Sequence, residues 1–489
     1  MALAVALALP VVALALAALL GEAASWQVLR EMAATVLPEY VHTTVWLCVG
    51  VAVAVAMVGT ATAAAVTLFD FPGRRVAEWL LLLPLAMPAY VVAYAYTDFL
   101  QYAGPLQTAL REAFGWQGRV FPEIRNAWGA GWVFTFTLYP YVYLLTRTAL
   151  TERAPQLLEA ARLLGAPLSR RIREVALPLA RPAIAAGVAL ALMETLADYG
   201  VVSYFGVQTF TAGIYKAWLV MDDRAAAAQL ALLLLLTVAA VLWVEQRAQR
   251  RLRFAGQRPA RGGAEARPTA LRGAGVALAW AVCGLPVLFG FVLPVLFMLR
   301  PLLEAWDVLP WASFIGWARN SLTLAAVSAV LATGVALALG FALRRLPTAL
   351  NRLAVRVVGL GYAVPGAVVV VGLLLPLGWV QARWPESPAA AWLLTTVLGV
   401  VWAYLVRFTA VSLQSVQSGY SRLPASWDDA AVTLGVSGAA LWWSVHWPLL
   451  RRSAIAALLL VFVDVMKELP ATLVLRPFDF DTLAVVAHQ

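Results

Sequence analysis

Long apolar runs are the feature that most constrains the fold of this chain of 489 residues. Each run is close to the roughly 20 residues that a helix needs to cross the hydrocarbon core of a bilayer. Hydrophobic residues make up 62% of the chain and charged residues 13%, whereas soluble domains are about half apolar and a quarter charged. The sequence therefore predicts an all-α polytopic membrane protein. The eleven runs lie at about 2–20, 41–68, 77–99, 130–149, 182–203, 226–244, 273–299, 321–343, 354–378, 389–413 and 453–475.

The distribution of Lys and Arg predicts the orientation of these spans. With the Arg-rich segment 246–272 placed in the cytoplasm, 25 basic residues fall in inside segments and nine in outside segments. Cytoplasmic loops carry the excess of Lys and Arg, so this orientation is favoured over its inverse. The segment 246–272 lacks apolar periodicity, which predicts a flexible linker near anionic lipid headgroups. The net charge of +10 thus reflects topology, and no nucleic acid partner is expected.

One loop between spans occurs twice in the chain, at an offset of 270 residues. The first copy reads EAARLLGAPLSRRIREVALP and the second reads DAAVTLGVSGAALWWSVHWP. In each, an acid opens an Ala-rich helix, a Gly ends it, a polar turn follows and a second short helix runs to a Pro. Small alanines leave room for another protein to approach, so both copies are predicted docking surfaces. The matching residues are Glu159, Ala160, Ala161, Gly165 and Pro178 in the first copy and Asp429, Ala430, Ala431, Gly435 and Pro448 in the second.

This repeated pattern, set between membrane spans, resembles the cytoplasmic coupling loop of ABC importer permeases. Two copies imply two homologous, parallel permease repeats of about six spans each, fused in one chain. The expected divisions are a first half at 1–245 with a coupling loop at 151–181, a linker at 246–272, and a second half at 273–489 with a coupling loop at 420–452. By the same offset the second half ends one helix early, so a last helix is expected to be missing.

Further segments narrow the resemblance to one branch of that family. The stretches at 194–218 and 467–485 are similar to those of ferric-iron permeases with two fused halves. The second loop departs from the family pattern because Asp429 replaces Glu. The resemblance implies a multi-pass protein of the bacterial inner membrane, in contact with lipid, that takes Fe(III) from a periplasmic binding protein.

The resemblance also implies an ABC ATPase dimer on the cytoplasmic side and no cofactor. A phosphate-binding P-loop needs a Lys followed by Ser or Thr after a Gly-rich loop. The chain has two lysines, and Lys216 precedes Ala217 whereas Lys467 precedes Glu468. The chain is therefore expected to be a transport permease rather than an enzyme, with ATP hydrolysed by a separate subunit.

Five ionisable residues lie in or next to spans that follow the two loops. The offset aligns Glu194 with Asp464 and Asp198 with Glu468, and Lys467 lies between the last two. Residues spaced i, i+4 share a helix face, and charges within a bilayer usually face a bundle interior or a water-filled path. Two interpretations stay open: the carboxylates line a cation path, or they make interhelical hydrogen bonds with Lys467 neutralising an acid.

Rival functions follow from the same residues. The same machinery could carry thiamine, a polyamine or an organophosphonate. A proton-coupled secondary transporter could use the four carboxylates, although the doubled loop argues against it. A membrane enzyme is disfavoured because no nucleophile–base set or HExxH motif is present. No metal site is expected, since Cys48 and Cys283 lie in apolar runs and the histidines are scattered as packing or interfacial residues, at His42, His446 and His488.

Overall fold

The computed structural model describes residues 2–19, 23–153, 155–250, 268–386 and 388–489, and this part of the chain is almost entirely helical. Its α-helices are α1 (Ala2–Leu19), α2 (Ala23–Ala34), α3 (Leu37–Leu68), α4 (Arg74–Leu80), α5 (Ala89–Leu100), α6 (Pro105–Phe114), α7 (Ala127–Arg153), α8 (Pro155–Leu163), α9 (Leu168–Arg170), α10 (Leu177–Ala197), α11 (Gly200–Tyr204), α12 (Phe210–Tyr215), α13 (Arg224–Arg250), α14 (Ala274–Val287), α15 (Leu293–Glu304), α16 (Trp311–Arg345), α17 (Ala349–Gly359), α18 (Gly366–Arg383), α19 (Pro388–Thr395), α20 (Leu398–Ser421), α21 (Ala425–Thr433), α22 (Gly438–Leu441), α23 (Trp447–Met466), α24 (Pro470–Leu475) and α25 (Leu483–His488).

Shorter elements join these helices. Segments of 3₁₀-helix lie at Leu83–Ala86, Trp306–Val308 and Gly361–Ala363, and π-helical segments lie at Arg171–Ala176, Lys216–Val220, Leu288–Val292 and Trp442–His446. The strands β1 (Phe69–Asp70) and β2 (Thr269–Ala270) pair in parallel.

The described helices confirm a polytopic membrane fold. Eight continuous helical stretches are long and apolar enough to cross a bilayer, or nine if the bent pair Arg74–Ala86 and Ala89–Phe114 counts as one span. Nine of the eleven predicted runs therefore meet this criterion of length and composition. The runs at 130–149 and 453–475 do form long helices, α7 and α23. However, α7 is rich in Tyr, Trp and Thr, and α23 carries charges at both ends, so neither is as apolar as the other spans.

The linker predicted at 246–272 is ordered at both of its ends. Helix α13 continues to Arg250, which agrees with the good helix propensity of Arg. At the other end β2 pairs with β1, and the N–H of Leu271 donates to the carbonyl of Asp70 at 2.8 Å. Both ends of the predicted linker therefore have regular secondary structure. Residues 251–267 lie outside the described part of the chain.

The chain separates into two compact units, and neither is continuous in sequence. Unit 1 comprises Met1–Thr35, Gly213–Leu235 and Pro310–Gln489. Unit 2 comprises Val36–Ala212 and Leu236–Leu309. Helices α16, α20 and α23 pack together at the centre of unit 1, and helices α3, α7 and α10 do so in unit 2.

Helix α1 packs in unit 1, against helices of the second predicted half. A Cβ on Gly372 of α18 would lie 2.2 Å from the carbonyl oxygen of Pro10, so the two helices touch backbone to backbone. The indole Nε1 of Trp402 donates to the carbonyl of Ala6 at 3.1 Å. The first helix of the chain is thus part of a unit built mainly from the second half.

The first helices of the predicted second half, α14 and α15, belong to unit 2, which is built mainly from the first half. The hydroxyl of Tyr96 on α5 donates to the carbonyl of Phe289, which lies between α14 and α15, at 2.7 Å. Packing and sequence repetition therefore divide the chain differently. The predicted halves, 1–245 and 273–489, are stretches of repeated sequence, and they stay a prediction.

The close packing of unit 2 gives a stability prediction at Gly59 of α3. A Cβ there would lie 2.6 Å from Cβ of Val142 and 2.9 Å from the carbonyl oxygen of Tyr139. Overpacking of this kind costs about 1–3 kcal/mol. We expect Gly59→Ala to lower the melting temperature of the detergent-solubilised protein.

The matched control is Gly50→Ala in the same helix. A Cβ at Gly50 meets nothing within 4 Å, and alanine favours a helix by up to about 1 kcal/mol over glycine. This variant should melt at or above the temperature of the parent protein. A Gly59→Ala protein as stable as the Gly50→Ala protein would show that α3 and α7 are not in close contact.

Candidate functional site

Both copies of the repeated loop end their first helix with the same turn. The glycines have left-handed backbones, with φ of +77° at Gly165 and +82° at Gly435. In each copy the residue after the glycine donates its N–H to the carbonyl five residues earlier, at 3.0 Å in the first copy and 2.9 Å in the second. This is the Schellman arrangement, in which glycine is preferred because it has no Cβ. The prediction that these glycines stop the helix agrees with the geometry.

The acids that open the repeated motif lie on α8 and α21. The side chain of Glu159 is 43% exposed and lies 3.8 Å from Arg162 on the same helix. Asp429 is exposed. Of the four alanines that follow the acids, Ala160 and Ala430 are exposed, Ala161 is half-buried and Ala431 is buried. Each helix thus presents a carboxylate and a small side chain to its surroundings.

The second helix of each loop differs from its prediction. It does not end at the proline but continues through a π-helical segment into a long helix. In the first copy Leu168–Ala197 forms one stretch of 30 residues, with Pro178 in the first turn of α10. In the second copy Pro448 begins α23 in the same way. Proline lacks the N–H for an i→i−4 bond, and each proline lies two residues after a π-helical segment, where the regular α-helical bonding is already interrupted.

The second loop is tied to helix α16 by one arginine. Nε of Arg344 donates to Oδ2 of Asp428 at 2.7 Å. The two terminal nitrogens of Arg344 donate to the carbonyls of Leu423 and Pro424, at 3.1 and 3.0 Å. The start of α21 is therefore fixed to the end of α16 by three hydrogen bonds from a single guanidinium.

A buried histidine extends this connection into the next helices. Nε2 of His446 donates to Oδ1 of Asp428 at 3.0 Å, since a carboxylate only accepts. Nδ1 of His446 lies 3.2 Å from the hydroxyl of Tyr420 on α20. His446 is fully buried and ends the π-helical segment before α23. One chain of contacts thus joins α16, α20, α21 and the π-helical segment that leads into α23.

Asp428 carries the charge of this network. Burial by itself raises the pKa of Asp428, but the hydrogen bonds from Arg344 and His446 outweigh that effect and hold the pKa below its ordinary value. A depressed pKa means that the stabilisation is complete above the ordinary carboxyl pKa. It is lost only as the pH falls through the lower value of the folded protein. The network is therefore intact at neutral pH.

The first loop is held differently. Leu150, Ala176 and Ala180 form a small buried cluster, against which half-buried side chains pack from the neighbouring helices. Those side chains are Leu68, Leu158, Leu179 and Ile184. A cavity of about 300 Å³ adjoins this loop, and its lining includes Glu159 and three arginines, Arg74, Arg147 and Arg171. Among the side chains that the structure describes here, apolar contacts rather than ion pairs join α8 to the spans beside it.

Two of the predicted path carboxylates cap short helices. Oδ1 of Asp198 accepts the N–H of Val201 at 2.8 Å, and Oε1 of Glu468 accepts the N–H of Ala471 at 3.0 Å. The acceptors Asp198 and Glu468 are 270 residues apart, and so are the donors Val201 and Ala471. The repeat in sequence is therefore also a repeat in local structure, at the short helices α11 and α24.

The remaining charges near Glu468 are paired. Oε1 of Glu468 accepts from Arg407 at 2.9 Å, and both side chains are buried. Lys467 lies 3.0 Å from Asp464, so the lysine neutralises Asp464 rather than Glu468. Glu194 is half-buried in the last turn of α10. Arg407 is one of the 25 basic residues assigned above to inside segments, but it lies within helix α20. Leaving it out of that count keeps the excess of basic residues on the inside, so the predicted orientation is unchanged.

Comparison with known proteins assigns the first of these loops to a family. Residues 56–254 match the family described as binding-protein-dependent transport system inner membrane component. This stretch is a permease domain of that family. It contains the whole first loop with Glu159 and Gly165, and the chain is a multi-pass inner-membrane permease.

Individual relatives of this permease differ in their named substrates. The Fe(3+)-transport system permease protein FbpB 2 of Haemophilus influenzae is 23% identical over 470 residues, covering 93% of this chain and 84% of that protein. The sulfate transport system permease protein CysT of Salmonella typhimurium is 32% identical over 28% of this chain and 48% of its own length. A putative 2-aminoethylphosphonate transport system permease protein, PhnU of Salmonella choleraesuis, is 27% identical over 36% of this chain and 63% of its own length. The alignments to CysT and PhnU thus cover about half to three-fifths of those relatives.

Sequence reasoning missed three residues of this permease. Asp428 lies beside the aligned Asp429 and is not itself among the predicted residues. His446 is predicted only to pack or to lie at an interface, and Arg407 is one of the 25 basic residues assigned to inside segments. The offset of 270 gives the missing signal for the first two, because it aligns Asp428 with Leu158 and His446 with Ala176. A polar residue that replaces an apolar one at a repeated position points to a contact that one copy has and the other lacks.

Proposed function

We propose that this permease is the membrane subunit of an ATP-driven importer, and that an ABC ATPase dimer docks on its two loops. The observation that supports this proposal best is the shared backbone of the two loops. Each presents an acid on a short helix, a left-handed glycine, and a second helix that continues into a span. Two equivalent surfaces of this kind suit a partner with two equivalent sites.

The continuous second helix suggests how motion would pass from the ATPase to the spans. A partner that moves the loop also moves α9 and the π-helical segment, and these run without a break into α10. The same holds for α22 and α23 in the second copy. We propose that ATP binding closes the ATPase and opens the pathway outward, and that hydrolysis resets it inward.

For the substrate we propose Fe(III), delivered by a periplasmic binding protein. The support is the relative named for Fe(3+) transport, whose alignment covers 93% of this chain. Among the five predicted path residues, four are acids and one is a lysine, which favours a cation. The path residues Glu194, Asp198, Asp464, Lys467 and Glu468 remain our proposal.

An oxyanion is the second candidate substrate. The relatives named for sulfate and 2-aminoethylphosphonate transport align over shorter stretches, the sulfate permease at a higher identity of 32%. The buried Arg407 is already neutralised by Glu468, so it does not by itself provide an anion site. A test of the substrate therefore has to compare the uptake of a cation with the uptake of anions.

Transport into vesicles tests this proposal. Proteoliposomes would contain the permease and its ATPase, with the binding protein outside, and uptake of radiolabelled Fe(III), sulfate and 2-aminoethylphosphonate would be measured with and without ATP. We expect ATP-dependent accumulation of iron and none of the two anions. ATP-dependent uptake of an anion alone would contradict the iron assignment. Uptake without the ATPase that a proton ionophore abolishes would instead support a secondary transporter.

A further inference from the structure

We propose that Arg344, Asp428, His446 and Tyr420, here called the Asp428 anchor, make the second loop the rigid one of the two. Rigidity here means that α21 keeps its orientation to α16 and α20. The part of the proposal that concerns transport rests on the proposed function. The part that concerns rigidity rests on the contacts that each loop makes within its own unit.

Three residues of the Asp428 anchor have apolar counterparts at the matching positions of the first copy. At the offset of 270, Asp428 corresponds to Leu158, His446 to Ala176, and Tyr420 to Leu150. The three first-loop residues belong to the apolar group described above. The same three places therefore hold hydrogen-bonding side chains in one loop and hydrocarbon in the other.

The arginine is present in both copies, but its partners differ. Arg344 corresponds to Arg74, and Arg74 lies 3.6 Å from Glu78 on its own helix α4. Glu78 also pairs with Arg147 of α7 at 2.7 Å. Among the ion pairs of the described residues, those of Arg74 and Glu78 join α4 and α7 and do not reach α8. In the second copy the arginine is bonded to the loop itself.

The surroundings of His446 fix its ring. Phe341 and Tyr420 meet the imidazole edge to face, with centroid distances of 5.2 and 5.5 Å, and Trp442 lies 6.2 Å away. A ring enclosed in this way keeps Nε2 directed at Asp428. Hydrogen bonds are directional, and buried networks of them stabilise one arrangement, whereas apolar contact tolerates sliding.

Hydrogen exchange of the permease alone in lipid nanodiscs tests the rigidity. We expect Asp428→Asn to raise the exchange rate of the amides in α21 about tenfold, the factor that loss of one charge-assisted hydrogen bond produces. The amides of α8 should not change. Asp429→Asn is the matched control, since it makes the same change at the exposed neighbouring acid and should leave exchange in α21 unaltered. Equal exchange of α21 in both variants would overturn the anchor.

The coupling part is tested by the amount of substrate imported per ATP hydrolysed. A triple variant with Tyr420→Leu, Asp428→Leu and His446→Ala carries the residues that the first copy has at the three matching positions. We expect this variant to fold, to bind the ATPase and to hydrolyse ATP, but to import about tenfold less per ATP. Undiminished import per ATP would show that apolar packing suffices and would overturn this part.

A pair of single variants separates positioning from simple packing. His446→Gln keeps an amide donor for Asp428, whereas His446→Leu keeps only the volume. We expect import per ATP to be retained largely by the glutamine variant and lost by the leucine variant; equal import by the two would contradict a positioning role. If the unaltered permease imports nothing with ATP, the proposed function fails, and the exchange experiment still decides the anchor.

Discussion

Glu468→Ala is expected to destabilise the protein so strongly that little of it is recovered in the folded state. The change leaves the guanidinium of Arg407 buried without its carboxylate, which costs about 3–5 kcal/mol. It also deprives the N–H groups of Ala471 and Thr472 of their acceptor. Since proteins are stable by only about 5–15 kcal/mol, the loss is a large share of the total. The measurement is the yield of monodisperse protein after detergent extraction, together with its melting temperature.

Two comparisons make this prediction specific. Asp198→Ala removes the equivalent cap in the first half, where Thr137 takes the place of Arg407, so it should cost only about 1 kcal/mol. The double variant Arg407→Leu with Glu468→Gln removes both charges and should recover most of the yield. Equal losses for Asp198→Ala and Glu468→Ala would contradict the central role of the ion pair.

The repeat explains why much of the site could be predicted from sequence. An offset of 270 aligned two glycines, and both adopt the same left-handed turn because that turn depends on a few neighbouring residues. The alignment of Asp198 with Glu468 likewise corresponds to two equivalent caps. Local backbone geometry follows from local sequence, so a repeat in one gives a repeat in the other.

Long-range contacts could not be predicted in the same way. The partner of Glu468 is 61 residues away in another span, and nothing near Arg407 in sequence indicates it. The packing of α1 against α18 could not be predicted either, because an apolar helix face does not indicate in sequence which other helix it contacts. The π-helical segments were not predicted because a proline usually signals a helix end, whereas here the helix continues through it.

The run at 130–149 forms helix α7, but it is less apolar than most of the other predicted spans. Helix α7 packs between α3 and α10 and carries Tyr and Thr side chains that bond within the protein. The hydroxyl of Tyr139, for example, donates to the carbonyl of Leu81 at 3.0 Å. A helix surrounded by protein does not need the apolar surface of one that faces lipid. Hydropathy therefore identifies α7 less clearly than α1 or α16.

Reversing the charge at both loops, with Glu159→Arg and Asp429→Arg, is expected to abolish binding of the ATPase. Neither side chain is buried, so the permease itself should fold normally. A partner surface that accepts two carboxylates would then face two cations, and like charges at an interface cost several kcal/mol. Each 1.4 kcal/mol is a factor of about ten, so recovery of the ATPase with tagged permease should fall at least a hundredfold.

The control for charge reversal lies on the opposite side of the predicted membrane. Glu304 is 62% exposed and, like Glu159, pairs with an arginine of its own helix. Glu304→Arg should leave recovery of the ATPase unchanged, because the proposed docking surfaces lie on the predicted cytoplasmic side. Each single reversal should weaken recovery less than the pair does, since one loop still binds. Normal recovery with the double variant would contradict docking at these acids, and loss with Glu304→Arg would contradict the predicted orientation.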